Sequence, residues 1–490
     1  MAGIIAEKSL KIVIAEKHNQ IKKIYLNDNR PWVIGYSGGK DSTTTLQLIF
    51  NSLKELPPNE LIKPVYVISS NTYIENPIIL KYIEENLNKI NKTAEDLHLP
   101  ITAQIVLPKN SQTFWTLLIG KGYPTPRQTF RWCTDRLKIN PANDFIINKV
   151  NEFGEAIVVL GVRRSESSSR ASVMDAHKIE GKLLRHHSSL NNAYVYAPIE
   201  DFDTDDVWTY LTAVENPWNS DNSDLLALYQ SSSDTAECPL VIDKSSPSCG
   251  NSRFGCWACT VVVEDKSLTG FIKTAGEKWL VPLLKFRDTL KNMRDLPENR
   301  ETKRMNGSIY HVKTKDGYKR GLGPFTLDAR KKMLIELLER EKEINNLKQM
   351  HDKNKGIKNT AYIELIQEFE LKQIRNIWLE NGDWEDSLPF ICRKYSAKNI
   401  EFDHNERPLF STEEIALLDD ICLEEDVSSS LMKKLINVEI SYYGFKNRTG
   451  ILKNLDTILK QDWVHEEILE DPSDVNDEFE LEEGANEDVN

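Results

Sequence analysis

No apolar run in this chain is long enough to cross a membrane. The longest, AIVVLGV at Ala156–Val162, falls far short of the ~20 residues that a spanning helix needs. The first stretch, MAGIIAEKSLKIVIAEKHNQ, lacks the pattern of a secretory signal, because charges interrupt it and no small-residue cleavage site follows an apolar run. The expected setting is therefore a reducing cytoplasm, with no membrane partner. Cysteine is scarce, 7 in 490 residues, and in that compartment a framework of structural disulfides is not expected. From Glu466 to Asn490 there is no Lys or Arg, and there are twelve Asp or Glu. That stretch holds −12 of the net charge of −13 and leaves about −1 for the rest. It reads as a solvated, disordered tail, or more sharply as a contact for a basic partner. Overall acidity therefore does not exclude a nucleic-acid substrate.

At 490 residues the chain is too long for one compact core, and two or three domains are expected. Four short apolar, β-rich runs mark its first third: WVIGY (Trp32–Tyr36), VYVIS (Val65–Ser69), TAQIV (Thr102–Val106) and AIVVLG (Ala156–Gly161). After the first run, Leu46, Ile49, Phe50 and Leu53 fall at i, i+3, i+4 and i+7, one helical face. Continuous apolar strands alternating with helices predict an α/β domain whose parallel sheet is buried on both sides. APIEDFDTDDVWTYL continues the pattern, with a helix start at Asp203–Asp206. From about residue 230 the chain is loop-rich, and residues 285–332 carry many Lys and Arg. From Thr326 it is strongly helical, with Glu336 and Arg340 as an i, i+4 pair. HDKNKGIKN reads as a break between two helices, and Tyr362, Leu365, Ile366 and Phe369 as a core stripe. The expected division is 1–230 for the α/β domain, 231–325 for a cysteine-bearing basic region, 326–465 for a helical domain and 466–490 for the acidic tail.

The first segment with evident chemistry is YSGGKDSTTTLQLIF, Tyr36–Phe50. A strand ends, Ser37, Gly38, Gly39, Lys40, Asp41 and Ser42 follow, and a helix begins. Glycines let backbone approach a ligand closely, and successive N–H groups ahead of a helix form an anion cradle. Lys40 adds a positive charge, and Ser37, Ser42 and Thr43 add hydroxyls. The segment is not a Walker A loop, because Asp41 follows Lys40. Two later segments add cations. FRWCTDRLKINP sets Cys133 among Arg131, Arg136 and Lys138, company that favours a thiolate. LGVRRSESSSR follows a strand and supplies Arg163, Arg164, Glu166 and Arg170.

Four of the seven cysteines stand at Cys238, Cys249, Cys256 and Cys259, spaced C-x10-C-x6-C-x2-C. In a reducing compartment this points to a metal site. Zinc favours paired C-x2-C knuckles, and here Cys256 and Cys259 form one. The irregular remainder suits a [4Fe–4S] cluster at least as well, and spacing leaves both open.

The loop resembles the SGGKDS motif of the PP-loop ATP pyrophosphatases. With C-x-x-R-x-K, G-x-R-x-x-E-S and DVW following in order, the chain is similar to the PAPS reductase branch of that family. In that branch the second strand commonly ends in a segment like SDTGxE. Here it is SSNTYIENP, with Asn71 and Tyr73 in place of Asp and Gly, which puts contact with adenosine in doubt. Over roughly residues 30–340 the order of motifs, cysteine quartet included, looks like DndC-type sulfurtransferases of DNA phosphorothioation.

This resemblance implies a PP-loop (adenine nucleotide α-hydrolase-like) fold with an iron–sulfur insertion and a helical C-terminal region. It implies ATP with Mg2+ bound by Ser37–Ser42, and a [4Fe–4S] cluster on the four cysteines. Cys133 would be the sulfur-handling thiol, and Lys40, Arg163 and Arg164 would stabilise charge at phosphorus. Cys392 and Cys422 match nothing and read as ordinary buried thiols. DNA, a cysteine desulfurase and other phosphorothioation proteins of the DndD and DndE kind would be partners. A PAPS or APS reductase, a PP-loop tRNA thiolase and a zinc-stabilised nucleotide-binding subunit are the competing readings. The reductases usually carry an E-C-G-[IL]-H motif near the C-terminus, and this chain has no cysteine after Cys422.

Overall fold

The computed structural model describes residues 4–231, 254–314, 317–404, 410–444, 446–461 and 463. Its centre is a six-stranded sheet in the order β3-β2-β1-β4-β6-β5. The strands are β1 Trp32–Gly35, β2 Val65–Ser70, β3 Ile101–Val106, β4 Ala156–Val159, β5 Arg185–His186 and β6 Ala193–Tyr196. All neighbours are parallel except the short edge pair β5–β6. The four apolar runs are thus β1 to β4. β1, β2 and β4 lack a polar alternation because both their faces are covered, whereas β3, at the sheet edge, exposes Thr102 and Gln104 on one face, so the expected burial on both sides fails there.

The period of two shows in what each face meets. Trp32 and Ile34 of β1, with Ile157 and Val159 of β4, face one hydrophobic cluster. Val33 and Val158 face a second, with Ala142 and Ile146 of the helix Asn140–Phe153. The first face is covered by the helices Leu10–Leu26, Lys40–Lys54 and Pro77–Asp96. The helix Thr204–Ala213 starts where the Asp pattern placed it. Asp203 accepts from the Asp206 N–H and Asp206 from the Asp203 N–H, at 2.8 and 2.9 Å, a reciprocal cap.

The chain from Thr326 is helical, as read. Thr326 caps the helix Leu327–Asn354, and Arg340 reaches Glu336 at 3.2 Å. Helix Glu368–Glu380 follows the break. Of the expected apolar stripe, Leu365 and Ile366 are buried and Phe369 partly buried, but Tyr362 is 48% exposed, and all except Phe369 precede that helix, so the four do not share one helical face. The Tyr362 hydroxyl donates to Glu341 instead, at 2.9 Å. The helices are tied to the sheet domain through the π-helical turn Thr116–Gly120. The turn ends at Gly120, and the last carbonyls of a helix have no intrahelical donor. Those of Ile119 and Gly120 accept from Trp378 Nε1 at 2.8 Å and Arg330 Nη1 at 2.5 Å. One apolar cluster therefore runs from Val13 to Cys392. A two-stranded antiparallel hairpin, β7 His311–Thr314 and β8 Gly317–Arg320, stands apart from the main sheet. No helix among the described residues is long and apolar enough to cross a membrane.

Candidate functional site

The strand order reverses between β1 and β4, so the loops leaving those two strands flank a crevice at the C-terminal edge of the sheet. The Ser37–Ser42 loop leaves β1 there. Gly38 has φ +71°, and a Cβ on it would stand 2.9 Å from Ile83 Cγ1, so both backbone and space call for glycine. Gly39 is the N-cap of the helix Lys40–Lys54. The hydroxyls organise the loop: Ser42 Oγ donates to the Gly39 carbonyl at 3.0 Å and accepts from the Ser37 N–H at 3.2 Å. Ser37 Oγ lies 3.0 Å from Ser42 Oγ and accepts from the Gly39 N–H at 3.3 Å.

Two features here were not legible in the sequence. The Lys40 N–H, a natural phosphate donor, is held by the hydroxyl of Tyr229 at 3.1 Å, and Lys40 Nζ lies 5.0 Å from the centre of that ring. Tyr229 comes from the helix Asn222–Ser231, far along the chain, with no motif to mark it. At the end of β2, Ser70 Oγ is buried and has no hydrogen-bond partner among the described residues. It is a spare polar group at the ligand edge of the sheet.

From the β4 side, Gly161 packs on the same loop. A Cβ there would lie 2.7 Å from the Asp41 carbonyl oxygen and 2.9 Å from the Ser42 nitrogen. Arg163 is buried, and its Nε meets Asp41 Oδ1 at 2.6 Å, while Lys40 Nζ is 3.7 Å from Asp41 Oδ2. Arg163 also donates to Ser165 Oγ and Thr204 Oγ1, both at 3.2 Å. The structure thus brings Lys40, Asp41 and Arg163 together. Arg164 is set apart, its exposed guanidinium forked onto Asp175 at 2.8 and 2.7 Å.

The knuckle meets the site from a third side. The Cys259 N–H donates to the Cys256 carbonyl at 3.1 Å, and the Trp257 N–H to the Ile74 carbonyl at 3.0 Å. This joins the turn to the segment after β2. Cys256 Sγ lies 3.8 Å from Glu75 Oε1 and 3.6 Å from Thr72 Oγ1, and Lys138 Nζ is 3.7 Å from the same Glu75 oxygen. Burial, then Glu75, pushes the Cys256 thiol well above its ordinary range, with Lys138 opposing. Lys138 belongs to the π-helical turn Asp135–Ile139, continuous with the short helix Trp132–Thr134 that carries Cys133. Glu75 was not singled out from the sequence, although it closes the segment that departs from the family pattern. That departure has a backbone consequence. Tyr73 sits at φ +64°, where glycine is the easy choice, and its ring packs on Phe369 at 5.5 Å.

Two thiols on one turn suit a shared metal ion or cluster. Cys238 and Cys249 lie outside the described residues, as does the acidic stretch from Glu466. Among the described residues no three His, Cys, Asp or Glu side chains group closely enough to hold a metal. Cys392 and Cys422 are buried, and burial pushes the Cys392 thiol up to about 12, as for inert core thiols.

Residues 31–262 match the phosphoadenosine phosphosulfate reductase domain. The chain carries a PAPS reductase-like PP-loop domain. It is 27% identical over 199 residues to an uncharacterised protein of Methanocaldococcus jannaschii, which is 41% of this chain and 35% of that relative's length. Among solved structures, a U34-tRNA thiolase of Methanococcus maripaludis with its [4Fe–4S] cluster is 15% identical. It covers 58% of this chain and 81% of its own, with a TM-score of 0.25. An FMN adenylyltransferase of Candida glabrata with FAD and pyrophosphate is 16% identical, over 42% of this chain and 58% of its own, also with a TM-score of 0.25. Superpositions at that level carry no argument about this chain.

Proposed function

We propose that this protein is an ATP-consuming sulfurtransferase that replaces a non-bridging oxygen of a DNA phosphodiester by sulfur. The observation that carries the reading is the convergence at one sheet edge. The phosphate loop with Lys40 packs beside the β4 exit, and the segment after β2 holds the Cys256–Cys259 turn beside the helix of Cys133. A phosphate oxygen is a poor leaving group until it is activated. The DNA oxygen would attack the α-phosphorus of ATP, with pyrophosphate leaving into the Ser37–Ser42 loop against Lys40. The terminal sulfur of a Cys133 persulfide would then attack the DNA phosphorus and expel AMP. An external thiol would cleave the resulting S–S bond. That frees the phosphorothioate, leaves a mixed disulfide on Cys133, and a second thiol restores Cys133. Arg163 would act by holding Asp41 and the loop in place, and Arg164 would meet phosphate only by leaving Asp175.

Cys238, Cys249, Cys256 and Cys259 would hold a [4Fe–4S] cluster, which when bound supplies sulfur or electron transfer. Mg2+ would arrive with ATP, and a cysteine desulfurase would load the persulfide.

The test is mass spectrometry of nuclease-digested DNA from the host and from its deletion strain, complemented with wild type or with Lys40→Ala. Phosphorothioate-linked dinucleotides should appear with wild type and not with Lys40→Ala or the deletion. Their absence from the host sinks the DNA reading. The domain match favours a second reading, reduction of an adenylyl sulfate. That reaction consumes no ATP, so ATP-independent sulfite release by the pure protein would select it.

A further inference from the structure

Beside Cys133 the chain makes a tight turn whose side chains the chemistry above leaves unused. Arg127 and Phe130 exchange both backbone hydrogen bonds at 3.1 Å, so the 126–131 loop projects from the fold with Gln128 and Thr129 exposed at its tip. Phe130 is 45% exposed, a large apolar ring in water between Arg127 and Arg131. The base of the loop is fixed. The Pro126 carbonyl accepts from Thr260 Oγ1, next to Cys259, at 2.7 Å and from Arg294 Nη1 at 3.3 Å.

Arg294 leads to the hairpin. Arg300 donates to the carbonyls of Arg294 and Gly323, and Tyr310 Oη to that of Leu322 at 3.0 Å, which holds the hairpin's two roots to the same segment. Arg304 stacks on Tyr310 at 4.1 Å. On the hairpin His311 faces Arg320 and Val312 faces Lys319 in register, and Lys313 and Lys319 are exposed. The two strands contain no Asp or Glu. Arg320 Nε and Nη2 have no hydrogen-bond partner among the described residues. These two buried guanidinium nitrogens, without acceptors among the described residues, are each costly to leave unpaired. An anionic ligand offsets both costs. Among the described residues, Asp295 takes Arg127 at 3.1 Å and Arg294 at 3.0 Å, and Glu301 acts on Lys434, while Asp316, between the two strands in sequence, lies outside the described residues.

Cations alone would suit any polyanion. An exposed phenyl ring among them adds a flat face on which an unpaired base can stack. We propose that the 126–131 loop and the β7–β8 hairpin form the docking surface for a nucleic-acid strand. Phe130 stacks an unpaired base, and Arg127, Arg304, Lys313, Lys319 and Arg320 take phosphates, so that the backbone arrives beside Cys133. This deepens the sulfurtransferase reading and rests on it for the acceptor being a nucleic acid, although not for the ATP chemistry.

Fluorescence anisotropy of the full chain with a labelled single strand, its duplex and the matching RNA tests this. ATP-induced thermal stabilisation serves as the control for the phosphate loop. Phe130→Ala should weaken single-strand binding about 5- to 150-fold, the loss of one stacked base. Lys313→Ala with Lys319→Ala should weaken all three probes and lower the slope of log K against log salt by about 1.4–1.8. Both variants should keep the response to ATP. Wild-type affinity in both variants overturns the proposal, as does polyglutamate competing as well as the single strand. Tighter RNA than DNA binding supports the surface and moves the acceptor to RNA. If the variants lose binding while host DNA holds no phosphorothioate, the surface stands and the DNA reading falls. Phosphorothioate present with unchanged binding gives the reverse.

Discussion

Replacing Arg163 by alanine isolates what holds the phosphate loop in place. Arg163 and Asp41 are 3% and 7% exposed and meet at 2.6 Å. Removing one member of a buried ion pair costs about 3–5 kcal/mol, because the survivor has lost both water and partner. Lys40 remains 3.7 Å from the other carboxylate oxygen, so the lower end applies, about 3 kcal/mol. In a cooperative unit of ~150–250 residues that lowers Tm by about 6–12 °C, readable by calorimetry. Adding Asp41→Asn removes the stranded carboxylate. The double variant should therefore recover about half of the loss, a coupling that independent sites do not show. Pyrophosphate release should fall with Arg163→Ala, since the loop loses its tie to β4. If Arg163→Ala melts within about 1 °C of wild type, or the two losses simply add, the pair is not the anchor of the loop.

Three further outcomes are expected. Gly161→Ala sets a Cβ against the Asp41 and Ser42 backbone, and displacing the loop by even ~1 Å should cut pyrophosphate release about 100-fold with helical content unchanged. An active variant would show that the close approach does not position the loop. Tyr229→Phe frees the Lys40 N–H of a bond worth about 0.5–1.5 kcal/mol, so the KM for ATP should fall about 2- to 10-fold. A rise instead would make the hydroxyl a nucleotide ligand. Burial pushes the Glu370 carboxyl up to about 7 from 4.5, with hydrogen bonds from Thr113 and the Gln367 backbone opposing. The folded state therefore holds this proton more tightly than the unfolded one. Its contribution is greatest below pH 4.5 and is lost as pH rises through about 7. Glu370→Gln should raise Tm relative to wild type more at pH 8 than at pH 5, and equal differences at both would refute the assignment.

Much of this was legible in the residue order, because it rests on local periodicity and short motifs. The four apolar runs are strands, and three of them are covered on both faces, while β3 at the edge exposes Thr102 and Gln104. SGGKDS between a strand and a helix could only be a loop that presents backbone N–H groups. Asp203 and Thr326 announced the helices they cap. What the loop touches was not legible. Asp41 meets Arg163, Lys40 meets Tyr229 and Cys256 meets Glu75 across 122, 189 and 181 residues of chain. No local pattern encodes such pairs, since they follow from which strands and which loops lie beside one another. The sequence by itself determined the elements and the phosphate loop, through side-chain period and glycine's conformational freedom. Only the tertiary structure decided that Arg163 serves Asp41 while its neighbour Arg164 turns to Asp175: burial leaves the Arg163 charge no choice but its nearest opposite, whereas Arg164 pairs at the exposed surface.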